Sequence, residues 1–252
     1  MVYLIYDGSF EGLISAVFDV YDQKLSQVKL CKKNQEIPDL FARSVEVDFS
    51  DQKFKRVSEK LIEYLGKSGF NSFWKATLSE LPDVDDLILR LVKYTLQEKK
   101  NVLKNYGHLD VLKLQQILKS LNRERHRMNA FVRFELGKDQ IFYATIEPDF
   151  DVLPLISNHF KNRYADQKWL IFDLKRNYGI YYDLNTVSTL EIAKDNAHNQ
   201  PAVLEVEWDS AEMEYQKLWK NYFKSTNIKS RKNTKLHLQH VPKRYWRYLT
   251  EK

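Results

Sequence analysis

Residues 2–6, Val-Tyr-Leu-Ile-Tyr, are apolar without a helical period and read as a buried strand. After the turn Asp7-Gly8-Ser9, Leu13, Val17, Val20 and Tyr21 recur at i, i+4, i+7 and i+8, an amphipathic helix capped by Asp7 or Ser9. Residues 24–43 have no clear period, and Pro38 ends whatever precedes it. Residues 44–49 alternate as a short strand. Ser50 then caps a helix running to Gly66, with Phe54, Val57, Leu61 and Leu65 on one face. A further helix stops near Pro82. Asp83, with Asp86 in the capping-box position, starts another that Gly107 ends. The next helix, 108–127, turns Val111, Leu114, Leu118 and Leu121 inward.

At Asn129 the period changes to two. Residues 130–136 and 140–146 flank Gly-Lys-Asp as one hairpin, and residues 169–174 and 179–184 flank a second. A short helix at 155–167 lies between them, and residues near 205 suggest an edge strand. Asp209, with Glu212 in the capping-box position, opens a last helix whose stripe Tyr215, Leu218, Trp219, Tyr222 and Phe223 is expected to be buried. These elements predict an α+β fold: an antiparallel sheet of two hairpins around a short helix, backed by helices, with a largely helical N-terminal half. The expected organisation is one domain over 1–252, with two closely packed lobes, 1–128 and 129–252, as its subdivision.

Composition adds a partner class. The 252 residues carry a net charge of +6, but residues 217–252 hold eleven Lys and Arg against one Glu, a segment charge of +10 that leaves the remainder at −4. A basic segment on a mildly acidic body suits a polyanion. Aromatics reach 13%, enough to supply rings that stack on bases as well as a core. One cysteine, Cys31, excludes an internal disulfide and a cysteine-rich cluster and fits a reducing cytoplasm. No apolar run is long enough for a membrane span, and the start lacks the basic region of a signal peptide.

Two clusters interleave bases with aromatics. Lys119, Arg123 and Arg127 share a helix face at i, i+4 and i+8, with Arg133 beyond. Towards the C-terminus come Arg231, Lys232, Lys243, Arg244, Tyr245 and Trp246. Cations neutralise phosphates and the rings can stack on bases, whereas a solvated basic face with anchoring aromatics would use the same residues. The turn at Asp7 invites a phosphate-loop reading, but no lysine follows, the glycine spacing is wrong, and Asp7 and Glu11 place negative charge there. A tight turn with a helix cap accounts for it. No zinc motif is present. Pro148-Asp149 with Asp173-Leu174-Lys175 imitates a nuclease metal site, making Asp7, Glu11, Asp149, Asp151 and Asp173 the candidate catalytic carboxylates of an alternative, metal-dependent nuclease or base-processing reading. The helix between the two halves speaks against it. No cofactor is implied.

The stretches 6–21 and 126–134, residues 144–183, 215–233, and the final Val-Pro-Lys-Arg-Tyr-Trp resemble a bacterial family of unknown function grouped with DNA metabolism and DNA repair. The resemblance implies association with a radical-SAM DNA modification or repair protein. Some relatives are fused to a uracil-DNA-glycosylase-like domain. It implies DNA as partner and no catalytic residues. An adaptor that binds protein rather than DNA is the remaining alternative.

Overall fold

The apolar N-terminal run forms β1 (Val2–Tyr6), which pairs in parallel with β2 (Val28–Lys32) on one side and β3 (Arg43–Glu46) on the other. The computed structural model describes residues 1–33, 35, 43–191, 206–226 and 234–251. They form two units, Met1–Leu121 and Asn122–Lys252.

In the first unit β1 is the central strand, so Tyr3, Leu4 and Tyr6 are all buried, as expected of a parallel strand covered on both faces. α1 (Phe10–Asp22) follows it and packs on α2 (Asp51–Thr77). Ser50 caps α2, accepting from Lys53 N. The two helices expected on either side of Gly66 are one helix with a kink. Gly66 has φ +73°, a conformation that glycine adopts without the steric cost a side chain brings. α3 (Val84–Glu98) ends at Lys99, well before Gly107, and a 3-10 turn at Val102–Lys104 leads to α4 (Leu109–Phe131). No capping box forms at α3. Asp83 makes no side-chain cap, and Asp86 instead accepts from Leu30 N of β2 at 3.0 Å. Neighbouring Asp85 accepts from the Tyr6 hydroxyl at 2.8 Å, and burial pushes its carboxyl above the ordinary aspartate range. The N-terminal half is largely helical, as expected, and carries a three-stranded parallel sheet as well.

The second unit is built on a five-stranded sheet in the order β4 (Glu135–Leu136), β5 (Phe142–Ile146), β6 (Trp169–Asp173), β7 (Tyr178–Tyr182), β8 (Val187–Glu191). β4–β5, β6–β7 and β7–β8 are antiparallel, but β5 and β6 are parallel, with Phe142 opposite Trp169. The sheet is therefore mixed and not antiparallel throughout. The reason is α5 (Leu153–Arg163), a crossover long enough to return the chain in the same direction. Gly179 sits where a Cβ would come within 2.9 Å of the Ile171 carbonyl oxygen, so the close β6–β7 approach requires glycine. One side of this sheet holds an aromatic cluster of Phe134, Phe160, Tyr164, Trp169 and Tyr182, with ring centroids 5.3–6.3 Å apart.

Beyond β4 the chain segment at 207–209 continues the pairing: Lys138 N donates to Glu207 O and Asp209 N to Leu136 O. The edge strand expected near 205 lies outside the described residues. α6 (Glu212–Thr226) follows, then α7 (Thr234–His240) and a 3-10 segment, Lys243–Tyr248. The expected burial of the α6 stripe is overturned: Leu218 is 64% and Tyr222 60% exposed. α6 instead faces the sheet through a polar row one turn apart. Glu212 accepts from Leu136 N at 2.8 Å and from Gln216, and this rotates Tyr215, Leu218 and Tyr222 outward. Glu212 is spent on that strand rather than on a capping box.

Candidate nucleic-acid interface

The other face of β4 and β5 opens onto a cleft of about 470 Å³, within the size range of small-ligand pockets. Its floor follows the two-residue strand period. Arg133 lies just before β4 and Glu135 in it, and Tyr143 and Thr145 lie along β5, with Glu135 directly opposite Tyr143. Trp208 stands edge-on to Tyr143 at 6.3 Å between centroids and is 44% exposed. Gln216 and Lys220 of α6 form one wall, and Trp246, Arg247 and Tyr248 of the C-terminal segment another.

Most charges here are committed. Arg133 pairs with Glu251 at 2.8 Å and lies over the Trp219 ring, whose Nε1 also donates to Glu251 at 2.9 Å. Arg247 pairs with Glu147, which accepts from the Tyr248 hydroxyl at 2.6 Å. Burial pushes the Tyr143 hydroxyl up to about 12, helped by its bond to Asp139. Burial and nearby Glu212 push Glu135 up from the ordinary glutamate range, and no cation pairs with Glu135 among the described residues.

Burial pushes the Glu251 carboxyl up, but Arg133 and the Trp219 N–H outweigh it and hold it below the ordinary range. A depressed folded value stabilises above the unfolded value of about 4.3 and is lost as pH falls through the folded one. Glu251→Gln is therefore expected to flatten the acid limb of the stability curve between about pH 5 and 3, read as urea midpoints across that window. An unchanged acid limb would show that the pair does not hold the segment.

The arginines proposed from sequence divide sharply. Arg133 and Trp246 reach the cleft. Arg244 instead bridges Glu124 at 3.0 Å and Asp149 at 2.8 Å. Arg127 lies 3.7 Å from Glu124. Tyr245 is buried, its ring against Phe131 and its hydroxyl on Glu124 at 2.6 Å, so its face cannot meet a base. Arg123 and Lys243 are exposed on the second unit. Lys119 is exposed on the first. Arg231 and Lys232 lie outside the described residues. Sequence reasoning missed Glu135, Tyr143, Trp208, Gln216 and Lys220, whereas Arg247 and Tyr248 belong to the C-terminal run of interleaved bases and aromatics that the sequence shows. The alternation of residues 133, 135, 143 and 145 was the available signal for the floor.

Exposed lysines are the cations left over. Lys217, Lys220 and Lys224 of α6 share one face at i, i+3 and i+7, and none forms an ion pair among the described residues.

The candidate carboxylates are accounted for differently. In the first unit, Asp7 accepts from Ser9 N and Ser9 Oγ at 2.9 and 2.7 Å, while Ser9 caps α1 through Gly12 N. A Cβ on Gly12 would lie 2.1 Å from Asp7 Oδ1, so the turn is filled by its own acid where a phosphate would sit. Glu11 is exposed beside it. In the second unit the crossover through α5 joins the two halves of the Pro148-Asp149 and Asp173-Leu174-Lys175 pattern instead of separating them: Lys175 Nζ donates to Asp149 O at 2.9 Å. Asp173, wholly buried, is neutralised by Arg176 at 2.7 Å and held by Lys175 N and Arg176 N. Asp151 accepts from the Tyr178 hydroxyl. Among the described residues no group of three or more His, Cys, Asp or Glu is placed to hold a metal ion.

The fold and cleft define a two-unit α+β protein with an aromatic and basic groove on a mixed sheet. The chain belongs to the DUF4130 family, a domain of unknown function that matches residues 82–251. No curated protein matches it. No helix among the described residues is long and apolar enough to cross a membrane.

Proposed function

We propose that the protein binds DNA in DNA metabolism or repair, through the cleft of its second unit and the lysine face of α6. The observation that carries this reading is the alternate-residue floor, where Tyr143 meets Trp208 edge-on in a cleft that Arg133 and Lys220 also line. Rings supply stacking surfaces for bases, and lysines supply phosphate contacts that need no fixed geometry. Assignment to a radical-SAM modification or repair enzyme rests on the family resemblance. Co-purification of the two proteins tests it.

DNA affinity measured across a salt series checks the surface. With Lys217, Lys220 and Lys224 all replaced by alanine, the log–log slope on single strands is expected to shallow by about 2, since each lost phosphate contact removes about 0.7. Affinity that ignores salt, or is unmoved by the triple substitution, overturns the proposed surface.

A further inference from the structure

Glu135 stands apart from the other acids around the cleft. Glu147 and Glu251 each have an arginine, and Glu212 is tied to a backbone amide. Glu135 lines the cleft with one weak contact, Gln216 Nε2 to its Oε1 at 3.4 Å, and its Oε2 has no hydrogen bond among the described residues. Gln216 is itself steadied by Glu212 at 3.2 Å. Tyr143 is the cross-strand partner of Glu135, and Trp208 stands edge-on to the Tyr143 ring. An acceptor-only group thus sits beside an aromatic platform.

An ionised carboxylate offers two acceptors and no donor, so its match is a pair of adjacent donors. Among the DNA bases, adenine and cytosine each place one exocyclic amine beside a ring acceptor on their pairing edge. Thymine places one N–H between two carbonyls. Guanine alone presents N1–H next to its 2-amino group. That edge is covered in a duplex and free only when the base is unpaired. We infer that the cleft reads one unpaired guanine of a single strand, with Glu135 accepting from N1–H and the 2-amino group while the base lies against Tyr143 and Trp208. This rests on the DNA-binding reading above and adds base identity and strandedness to it.

The test is fluorescence anisotropy of the full-length protein with short oligothymidylates carrying one central guanine, hypoxanthine or adenine. Hypoxanthine keeps N1–H and lacks the 2-amino group, so the native protein is expected to favour guanine over it by about tenfold or more. Glu135→Gln replaces one acceptor by a donor and is expected to bring that ratio close to one, with its thermal melting curve unchanged. Binding with equal affinity for the three oligomers overturns the base reading and leaves DNA binding standing. A guanine preference that survives Glu135→Gln removes Glu135 as the reader. No binding to any oligomer overturns both. The guanine-to-hypoxanthine comparison uses the native protein alone, so it holds even where the variant folds poorly.

Discussion

Glu124→Ala is expected to destabilise the second unit by about 3–5 kcal/mol, the cost of stripping a buried charge from its partners. Glu124 is 2% exposed and gathers three segments of that unit. It accepts from the Tyr245 hydroxyl at 2.6 Å, from Asp149 N at 2.9 Å and from Arg244 at 3.0 Å. Removing it leaves the buried Tyr245 O–H and the Asp149 amide without an acceptor and Arg244 short of one of its two carboxylates. Burial, and then the bond to Glu124, already push the Tyr245 hydroxyl above tyrosine's ordinary value, so ionisation offers it no escape. Glu124→Gln keeps the acceptor oxygen for Tyr245 and Asp149 and is expected to cost only about 1–2 kcal/mol. Four of the five tryptophans lie in this unit, so tryptophan fluorescence in a urea titration reports it directly. Equal midpoints for native protein and Glu124→Ala would show that the contacts contribute nothing net. The consequence reaches the cleft, because Tyr245 anchors the segment that carries Trp246, Arg247 and Tyr248.

Elements with an apolar stripe or an unbroken apolar run were legible in the sequence, and others were not. α1 and the Ser50-capped start of α2 have an apolar stripe that must be buried, and β1, covered on both faces, was legible as an unbroken apolar run. β8 has neither: four of its five residues are exposed, so no pattern marked it. β2 was lost in a stretch interrupted by lysines, because its inward residues Leu30 and Cys31 are adjacent and do not alternate. The α6 stripe shows the reverse failure. Its period correctly gave a helix, but period says nothing about which side is covered, and hydrogen bonds through Glu212 and Gln216 decided that. The cleft was only partly legible for a related reason. Its residues come from β4, β5, the segment at 208, α6 and the C-terminal turn, and only their pairing brings them together. Arginine clusters looked like phosphate contacts, yet arginine's forked guanidinium also suits it to buried carboxylates, and Arg133, Arg176 and Arg244 serve that purpose here, while Arg247 pairs with the half-exposed Glu147.

Arg176→Ala is expected to match the Glu124 effect, at about 3–5 kcal/mol, and to carry a pH signature that separates it from simple loss of packing. Asp173 is wholly inaccessible, and burial pushes its carboxyl above the ordinary range even though Arg176 and two backbone amides pull it back. Without the guanidinium the folded value rises further. A raised carboxylate value means that the folded protein holds a proton the unfolded chain has released, so stability falls as pH rises from the unfolded value through the folded one. The deficit of the variant is therefore expected to be greatest at neutral pH and to shrink on acidification, as Asp173 takes up a proton and no longer needs a partner. Adding Asp173→Asn to Arg176→Ala is expected to recover part of the loss at neutral pH and to remove its pH dependence, a coupling that a double-mutant cycle reads directly. A deficit that stays constant with pH would mean that Arg176 acts through its other contacts, the carbonyl oxygens of Pro148 and Asp149 at 3.3 and 3.1 Å. Those contacts set the path of the loop after β5, and Glu147 at its start pairs with Arg247 and Tyr248. One substitution thus separates two ways in which a buried arginine can shape a cleft it never touches: by neutralising an acid in the core, or by fixing the loop whose first residue holds the cleft wall.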